Sequence, residues 1–202
     1  MDSVLWFKGL AIGFSIAAPV GPIGILCIRR TLTAGMTAGF LSGAGAATAD
    51  AIYGSMAAYG LSVLSAWLMT YQRTLQLIGG LFLCYLGWRC CRQEPAQHMA
   101  GNAGGNWAAA YLSTLLLTLT NPMTILSFTA ILSGLGLAAA NAGKQAPLLV
   151  FGVFSGSLLW WLCLSGGVSL FRTALKPTCL RGINRISGLI ILAFGIFSLA
   201  GR

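Results

Sequence analysis

The first apolar stretch of the chain, residues 4–28, is interrupted by the segment APVGP at positions 18–22. Each proline lacks the backbone N–H that a helix needs, and its ring clashes with the carbonyl group one turn earlier. The helix therefore has to break or kink at Pro19 to Pro22. A proline also suits the first turn of a helix, so the sequence predicts that a second helical segment begins at Pro22.

The composition places this broken stretch in a membrane protein. The 202 residues are 57% hydrophobic and 7% charged, whereas soluble domains carry about a quarter charged residues. A soluble globular domain is thereby excluded. The net charge of +9 does not indicate a nucleic-acid partner, because the basic residues lie at the ends of apolar runs, where they orient helices and contact anionic lipid. We predict an all-α integral membrane protein whose partner is the lipid bilayer.

Six apolar runs predict six transmembrane helices in a single domain of residues 1–202. A polar stretch at residues 92–106 predicts a loop between the third and fourth helices. Eight of the twelve basic residues, Arg29 and Arg30 among them, follow the first, third and fifth helices. The positive-inside rule puts these connections in the cytoplasm and both termini outside. The six runs are residues 4–28, 37–63, 74–88, 107–137, 147–171 and 186–199.

Two short motifs recur in the same order along the chain. PIGIL at residues 22–26 is answered by PMTIL at 122–126, and GFLSG at 39–43 is answered by GVFSG at 152–156. The repeat halves are roughly residues 1–91 and 107–202. Because each half holds three predicted helices, an odd number, the halves enter the membrane from opposite sides. Such inverted repeats are typical of secondary transporters.

The two broken helices and one carboxylate are the candidate site. A helix that begins at Pro22 presents free N–H groups and the positive end of its dipole, which suit a substrate carboxylate, and Thr120-Asn121-Pro122 repeats the arrangement. Asp50 is the only acidic residue deep in an apolar run. Because an unpaired charge there costs at least about 2.5 kcal/mol, Asp50 either exchanges a proton between conformations or pairs with a substrate cation. The alternative is a protonated side chain bonded to Thr48 or Tyr53.

The remaining reactive residues predict no cofactor and no metal site. The six cysteines form no CxxC motif, and the chain contains one histidine, which does not suit a zinc site or a disulfide framework. The adjacent pair Cys90 and Cys91 leaves open a membrane-embedded thiol redox enzyme. A passive channel for small solutes is a third reading of the same apolar sequence.

Four motifs together resemble those of the LysE/RhtB family of amino-acid exporters, over nearly the full chain. They are PVGP at 19–22, AATAD at 46–50, YLGWR at 85–89 and TNP at 120–122. Val20 stands where many members carry glycine.

The resemblance implies a carrier of the bacterial inner membrane and not an enzyme. Its substrates would be amino acids or related small metabolites, driven by the proton gradient or the membrane potential, and the carrier would be a homo-oligomer. The implied substrate site comprises Pro19, Gly21, Pro22, Asp50, Asn121 and Pro122, with Asp50 in proton coupling.

Overall fold

In a computed structural model the chain is helical in almost all of the part described here. That part comprises residues 2–59, 70–92, 106–121, 124, 127–128, 146–172 and 177–200. It contains seven helices and no strand. They are α1 (Asp2–Ala17), α2 (Pro22–Ala34), α3 (Met36–Ala58), α4 (Gln72–Arg92), α5 (Trp107–Leu119), α6 (Ala146–Arg172) and α7 (Pro177–Ala200).

The predicted break in the first apolar run is confirmed. Helix α1 ends at Ala17, α2 begins at Pro22, and the two axes differ by 83°. Helix α2 ends at Ala34 and is capped by Gly35, whose φ of 99° lies in the left-handed region that favours glycine. The Gly35 N–H closes the helix by donating to the Thr31 carbonyl at 3.0 Å.

Several of the described helices suit a membrane, as the composition predicts. Residues 73–92 of α4, 146–171 of α6 and 181–200 of α7 are long and apolar enough to cross it, and α1 with α2 makes a fourth span if the bent pair is one crossing. The protein is therefore an all-α, multi-pass membrane protein. The count of six stays a prediction, since residues 60–63 and most of 122–137, in the second and fourth predicted spans, lie outside the described residues, as does most of the 92–106 loop.

The helices pack in two kinds of arrangement, parallel and antiparallel. Helix α1 packs along α6, and α5 packs along α3. The two helices of each pair run in the same direction. In the α3–α5 pair, Gly45 approaches the Tyr111 carbonyl and Tyr53 reaches Leu119. Helices α3 and α6 are antiparallel, as are α4 and α7, where Gly87 faces Gly188. The centre of the molecule is thus the α3–α6 pair.

Helix α2 packs on α3, α6 and α7 and carries one buried basic residue, Arg29, and one half-buried basic residue, Arg30. The sequence places Arg29 and Arg30 in a connection after the first span, but the structure places both inside α2. The Arg30 guanidinium donates to Ser42 Oγ at 2.7 Å, to the Ala110 carbonyl at 2.9 Å and to Ser113 Oγ at 2.8 Å. The 83° bend turns this helix into the protein, which a linear reading of an Arg-Arg pair after an apolar run does not reveal.

The other arginine of the pair holds α2 to α7. Arg29 is 8% exposed, and its Nε donates to Asn184 Oδ1 at 3.0 Å. Since Arg30 reaches α3 and α5, the two side chains together connect the second half of the broken helix to three other helices.

Candidate functional site

A cavity of about 510 Å³ lies where the break between α1 and α2 meets the other helices. Five of the six residues that the sequence singled out line this cavity: Pro19, Gly21, Pro22, Asp50 and Asn121. They come from the broken segment, from α3 and from the end of α5. The sixth, Pro122, lies outside the described residues.

The broken segment presents backbone to this space. Gly21 precedes the first turn of α2 in an extended conformation, and no side chain caps the helix. Its N–H donates to the Pro19 carbonyl at 3.0 Å, and its own carbonyl accepts from the Ile25 N–H at 3.0 Å. A methyl group added at Gly21 would meet no atom within 4 Å. The start of α2, with the free N–H groups and positive dipole end of a helix N-terminus, therefore borders open space.

The Asp50 carboxylate is 3% exposed and accepts a hydrogen bond from Ser157 Oγ at 2.7 Å, across the α3–α6 contact. The two partners expected from the sequence bond elsewhere. Tyr53 donates to the Leu119 carbonyl at 2.6 Å, and Thr48 Oγ1 accepts from Tyr111 at 2.8 Å. Asp50 therefore has one neutral donor, and its charge is not matched by a Lys or Arg among the described residues that line the cavity.

The end of α5 supplies a second polar edge. Thr118, Thr120 and Asn121 line the cavity just where the helix stops. The Asn121 N–H donates to the Thr118 carbonyl at 3.1 Å, which tightens the last turn. Thr114, one turn before Thr118 on the same helix, is fully buried and lies outside the cavity.

Sequence reasoning missed two residues of α6 beside Asp50. Ser157 is its hydrogen-bond donor, and Trp161, one helical turn later, lines the cavity. The indole of Trp161 is buried, and its N–H has no hydrogen-bond partner among the described residues. Ser157 and Trp161 are four residues apart, and residues i and i+4 share a helix face. The sequence therefore indicates that these two side chains lie on the same face of α6.

The adjacent cysteines lie away from this cavity. The Cys90 thiol is buried and donates to the Asn184 carbonyl at 3.1 Å, and the Cys91 thiol points to the Arg185 carbonyl at 3.7 Å. Both thiols therefore sit in the contact between α4 and α7. Within the described ranges, no three His, Cys, Asp or Glu side chains come together as a metal site would need.

Comparison with known proteins identifies the family. The profile of the LysE type translocators matches residues 3–201, nearly the whole chain. The chain belongs to the LysE type translocator family. This membership agrees with the resemblance carried by the four sequence motifs, and the family's description is that of a transporter. No solved structure is significantly similar to this LysE-family chain.

Three relatives of this translocator cover most of its length. A protein of Bacillus subtilis (strain 168) named "Putative amino acid efflux protein YcgF" is 29% identical over 96% of this chain and 94% of its own. The "Uncharacterized membrane protein YahN" of Escherichia coli (strain K12) is 28% identical over 85% of this chain and 77% of its own. The "Chemotactic transduction protein ChpE" of Pseudomonas aeruginosa is 27% identical over 98% of both chains.

Proposed function

We propose that this protein is a secondary exporter of amino acids or related small metabolites. One observation carries the proposal: the α1–α2 break, Asp50 and Asn121 border one cavity of about 510 Å³. A free amino acid carries one ammonium group and one carboxylate, and this cavity offers one carboxylate and one helix N-terminus. The name of the Bacillus subtilis relative, which refers to amino-acid efflux, supports the same substrate class.

In the proposed mechanism the two charged groups of the substrate meet different elements. The carboxylate lies at the start of α2, where backbone N–H groups and the helix dipole favour an anion. Asp50 meets the ammonium group, or it carries the proton that couples export to the proton gradient. The membrane potential is the other candidate driving force. Pro19, Gly21 and Pro22 shape the first break, and Asn121 with Pro122 forms the second.

We propose further that the halves 1–91 and 107–202 are inverted repeats that move against each other to give alternating access. The helix directions support this, because α3 is antiparallel to α6 and α4 to α7. The packing is also reciprocal: α1 lies along α6 as α5 lies along α3. Gly156 approaches the Leu10 carbonyl as Gly45 approaches that of Tyr111. In this packing Gly45 is the counterpart of Gly156. The GFLSG repeat instead aligns Gly43 with Gly156, so the two alignments differ by two residues.

The proposed membrane arrangement has six spans in the bacterial inner membrane, both termini outside and the 92–106 loop in the cytoplasm. Basic residues support it, since Arg89 and Arg92 end α4 at the same side where Arg181 and Arg185 begin the antiparallel α7. Single cysteines engineered at 92–106, in a background without the native cysteines, should resist an impermeant maleimide in intact cells. Heavy labelling would contradict this topology.

The proposed homo-oligomer is tested by the mass of the purified protein.

The proposed export is tested in bacteria preloaded with mixed amino acids, by mass spectrometry of the external pool. Cells with an empty vector, the wild type, Asp50→Asn and Asp2→Asn are compared at equal expression. Asp2→Asn is the matched control, because it removes the same charge at the chain terminus. We expect release by the wild type and the control but not by Asp50→Asn. Release by Asp50→Asn at the wild-type rate would contradict the role of the carboxylate, and no release by the wild type would contradict export.

A further inference from the structure

One buried hydrogen-bond donor in the cavity lining has no partner. Trp161 is 5% exposed, and its indole Nε1 makes no hydrogen bond to the part of the chain that the structure describes. Buried polar groups in proteins are nearly always hydrogen-bonded, and an unsatisfied one is costly. Trp161 also lines the cavity, but its Nε1 is covered in this state, so a solute can accept from this N–H once the atoms that cover it move.

The position of the Trp161 side chain is fixed by its neighbours. A methyl group added at Gly43 on α3 would collide with Trp161 Cβ and Cγ, so the first atoms of the side chain rest directly on the α3 backbone. Ser157, one turn earlier on α6, holds the Asp50 carboxylate at 2.7 Å. The same face of α6 therefore carries both Ser157, the partner of the Asp50 carboxylate, and Trp161, whose N–H has no partner among the described residues.

The residue that carries the unpaired donor also shares an apolar cluster with the broken helix. Trp161 belongs to one apolar cluster with Ala17 and Ile23, the residues on either side of the break. The start of α2 has no side-chain cap, and Gly21 faces open space. Trp161 and the start of α2 thus line the same cavity.

The rest of the lining limits the charge of the solute. Among the described residues that border the cavity, Asp50 is the one carboxylate, and Lys, Arg and His are absent. A second ammonium or a second carboxylate on the solute would therefore find no opposite charge there. Large apolar side chains occupy much of the remaining surface, among them Leu117, Phe194 and Phe197. A neutral, apolar side chain matches these surroundings.

We propose that Trp161 is a substrate-binding residue whose indole N–H donates to the carboxylate of a neutral amino acid with an apolar side chain. The first-turn N–H groups of α2 bind the same carboxylate, and Asp50 meets the ammonium group. This inference rests on the proposed export of amino acids and names its substrate class. It separates this chain's site from one for a dibasic or an acidic amino acid.

The test uses the purified full chain in proteoliposomes and compares Trp161→Phe with Trp160→Phe. The first variant keeps an aromatic ring and removes the N–H. Trp160 is the matched control, because it is absent from the cavity lining and packs edge to face on Phe14 at 5.3 Å. We expect Trp161→Phe to raise KM for leucine about tenfold, as the loss of a hydrogen bond to a charged group does. Its maximal rate should stay within about twofold of the wild type, and Trp160→Phe should change neither value.

An unchanged KM for leucine in Trp161→Phe, or an equal rise in both tryptophan variants, would overturn the role of the indole N–H. Gly21→Ala provides a second variant that the backbone accommodates, since its added methyl meets no protein atom within 4 Å. That methyl enters the cavity at the start of α2, so we expect a higher KM for leucine here as well. A wild-type KM in this variant would overturn the binding of the carboxylate at the break.

The substrate class is tested separately with leucine, phenylalanine, lysine and glutamate as probes on the wild type. We expect transport of leucine and phenylalanine at a kcat/KM at least about tenfold above that of lysine and glutamate. Equal or preferred transport of lysine or glutamate would overturn the inference and leave amino-acid export standing. Transport of none of the four would contradict the proposed function itself.

Discussion

Two antiparallel helix pairs, α3–α6 and α4–α7, pack closely through different kinds of contact. In α4–α7 the contact is backbone to backbone: a methyl group added at Gly87 would lie 2.8 Å from the Gly188 carbonyl, and one at Gly188 would lie 2.8 Å from that of Gly87. In α3–α6 the contact is made by side chains, with Ser157 bonded to Asp50 and Trp161 resting on Gly43.

This difference separates a scaffold from a candidate site. Backbones in direct contact leave no room for a solute, and helix association in lipid depends on such packing by small residues. The outward faces of α4 and α7 carry exposed Leu81 and Leu189, which suit lipid. The α3–α6 contact instead borders the cavity, and it contributes a carboxylate with one neutral donor and an indole N–H that has no partner among the described residues. Helices α4 and α7 also reach the cavity, through Leu83 and Phe197 among others, so the contrast concerns the contacts and not the whole helices. Mutations at the Gly87–Gly188 contact should act on stability, and those at the Asp50–Ser157 contact should act on transport.

The largest effect is expected for Asp50→Asn in the central pair. The amide has the shape of the carboxylate and can still accept from Ser157, but it carries no charge for an ammonium group or a proton. We expect export to fall about 100-fold, as for a lost charged interaction of about 3 kcal/mol, with a melting temperature close to that of the wild type. A melting temperature that falls together with transport would show that Asp50 acts on the fold, and would break the comparison.

Gly188→Ala should do the reverse in the scaffold pair. The added methyl would meet the Gly87 carbonyl and the Cys91 N–H at 2.8 Å, and backbone atoms cannot move aside easily. We expect a loss of about 2 kcal/mol in the free energy of unfolding, measured as a lower melting temperature in detergent. Gly182→Ala on the same helix is the control, because its methyl would meet nothing within 4 Å. Equal melting temperatures for the two variants would contradict direct backbone contact.

Arg30→Lys tests the attachment of α2 to the central helices. Lysine keeps the charge but lacks the planar fork with which Arg30 reaches Ser42, Ser113 and the Ala110 carbonyl. We expect a loss of about 1.5 kcal/mol in the free energy of unfolding. Arg73→Lys is the control, since Arg73 is exposed and reaches the Leu199 carbonyl at 3.4 Å. A melting temperature as low in the control as in Arg30→Lys would contradict the special position of Arg30.

Ser157→Ala is the mildest change within the central pair. It removes the hydroxyl that donates to Asp50 at 2.7 Å and leaves the carboxylate in place. We expect initial efflux rates to fall about fivefold, corresponding to about 1 kcal/mol. Ser155→Ala is the matched control, because that hydroxyl donates to the Phe151 carbonyl of its own helix. The same rate change in both variants would argue that small alterations anywhere in α6 affect transport.

The sequence predicts those features of this comparison that depend on local rules. The break at Pro19 to Pro22 follows from the missing proline N–H, and the structure has it. The burial of Asp50 follows from its apolar surroundings in the chain, and its side chain is 3% exposed. Both features depend on residues within a few turns, so the sequence alone was sufficient.

Contacts between distant segments were not predictable in this way. The bond from Ser157 to Asp50 joins residues 107 positions apart, and it depends on how two helices slide and rotate against each other. The motif glycines Gly152 and Gly156 pack closely against α1, and the sequence repeat does not show which helix they contact. The Arg29-Arg30 pair resembles the end of a span, because nothing in the sequence beside it indicates the 83° turn after which Arg29 is buried and Arg30 is half-buried.

The shortness of α1 and α5 has a consequence for the membrane itself. Sixteen residues of α1 at about 1.5 Å each reach about 24 Å, and the thirteen of α5 about 20 Å, whereas the hydrocarbon core is about 30 Å thick. The two helices run in opposite directions. Helix α1 is parallel to α6, α6 is antiparallel to α3, and α3 is parallel to α5. Neither helix is therefore long enough to cross the hydrocarbon by itself, and both stop at the same cavity. A solute bound there would lie between the ends of two helices that point in opposite directions.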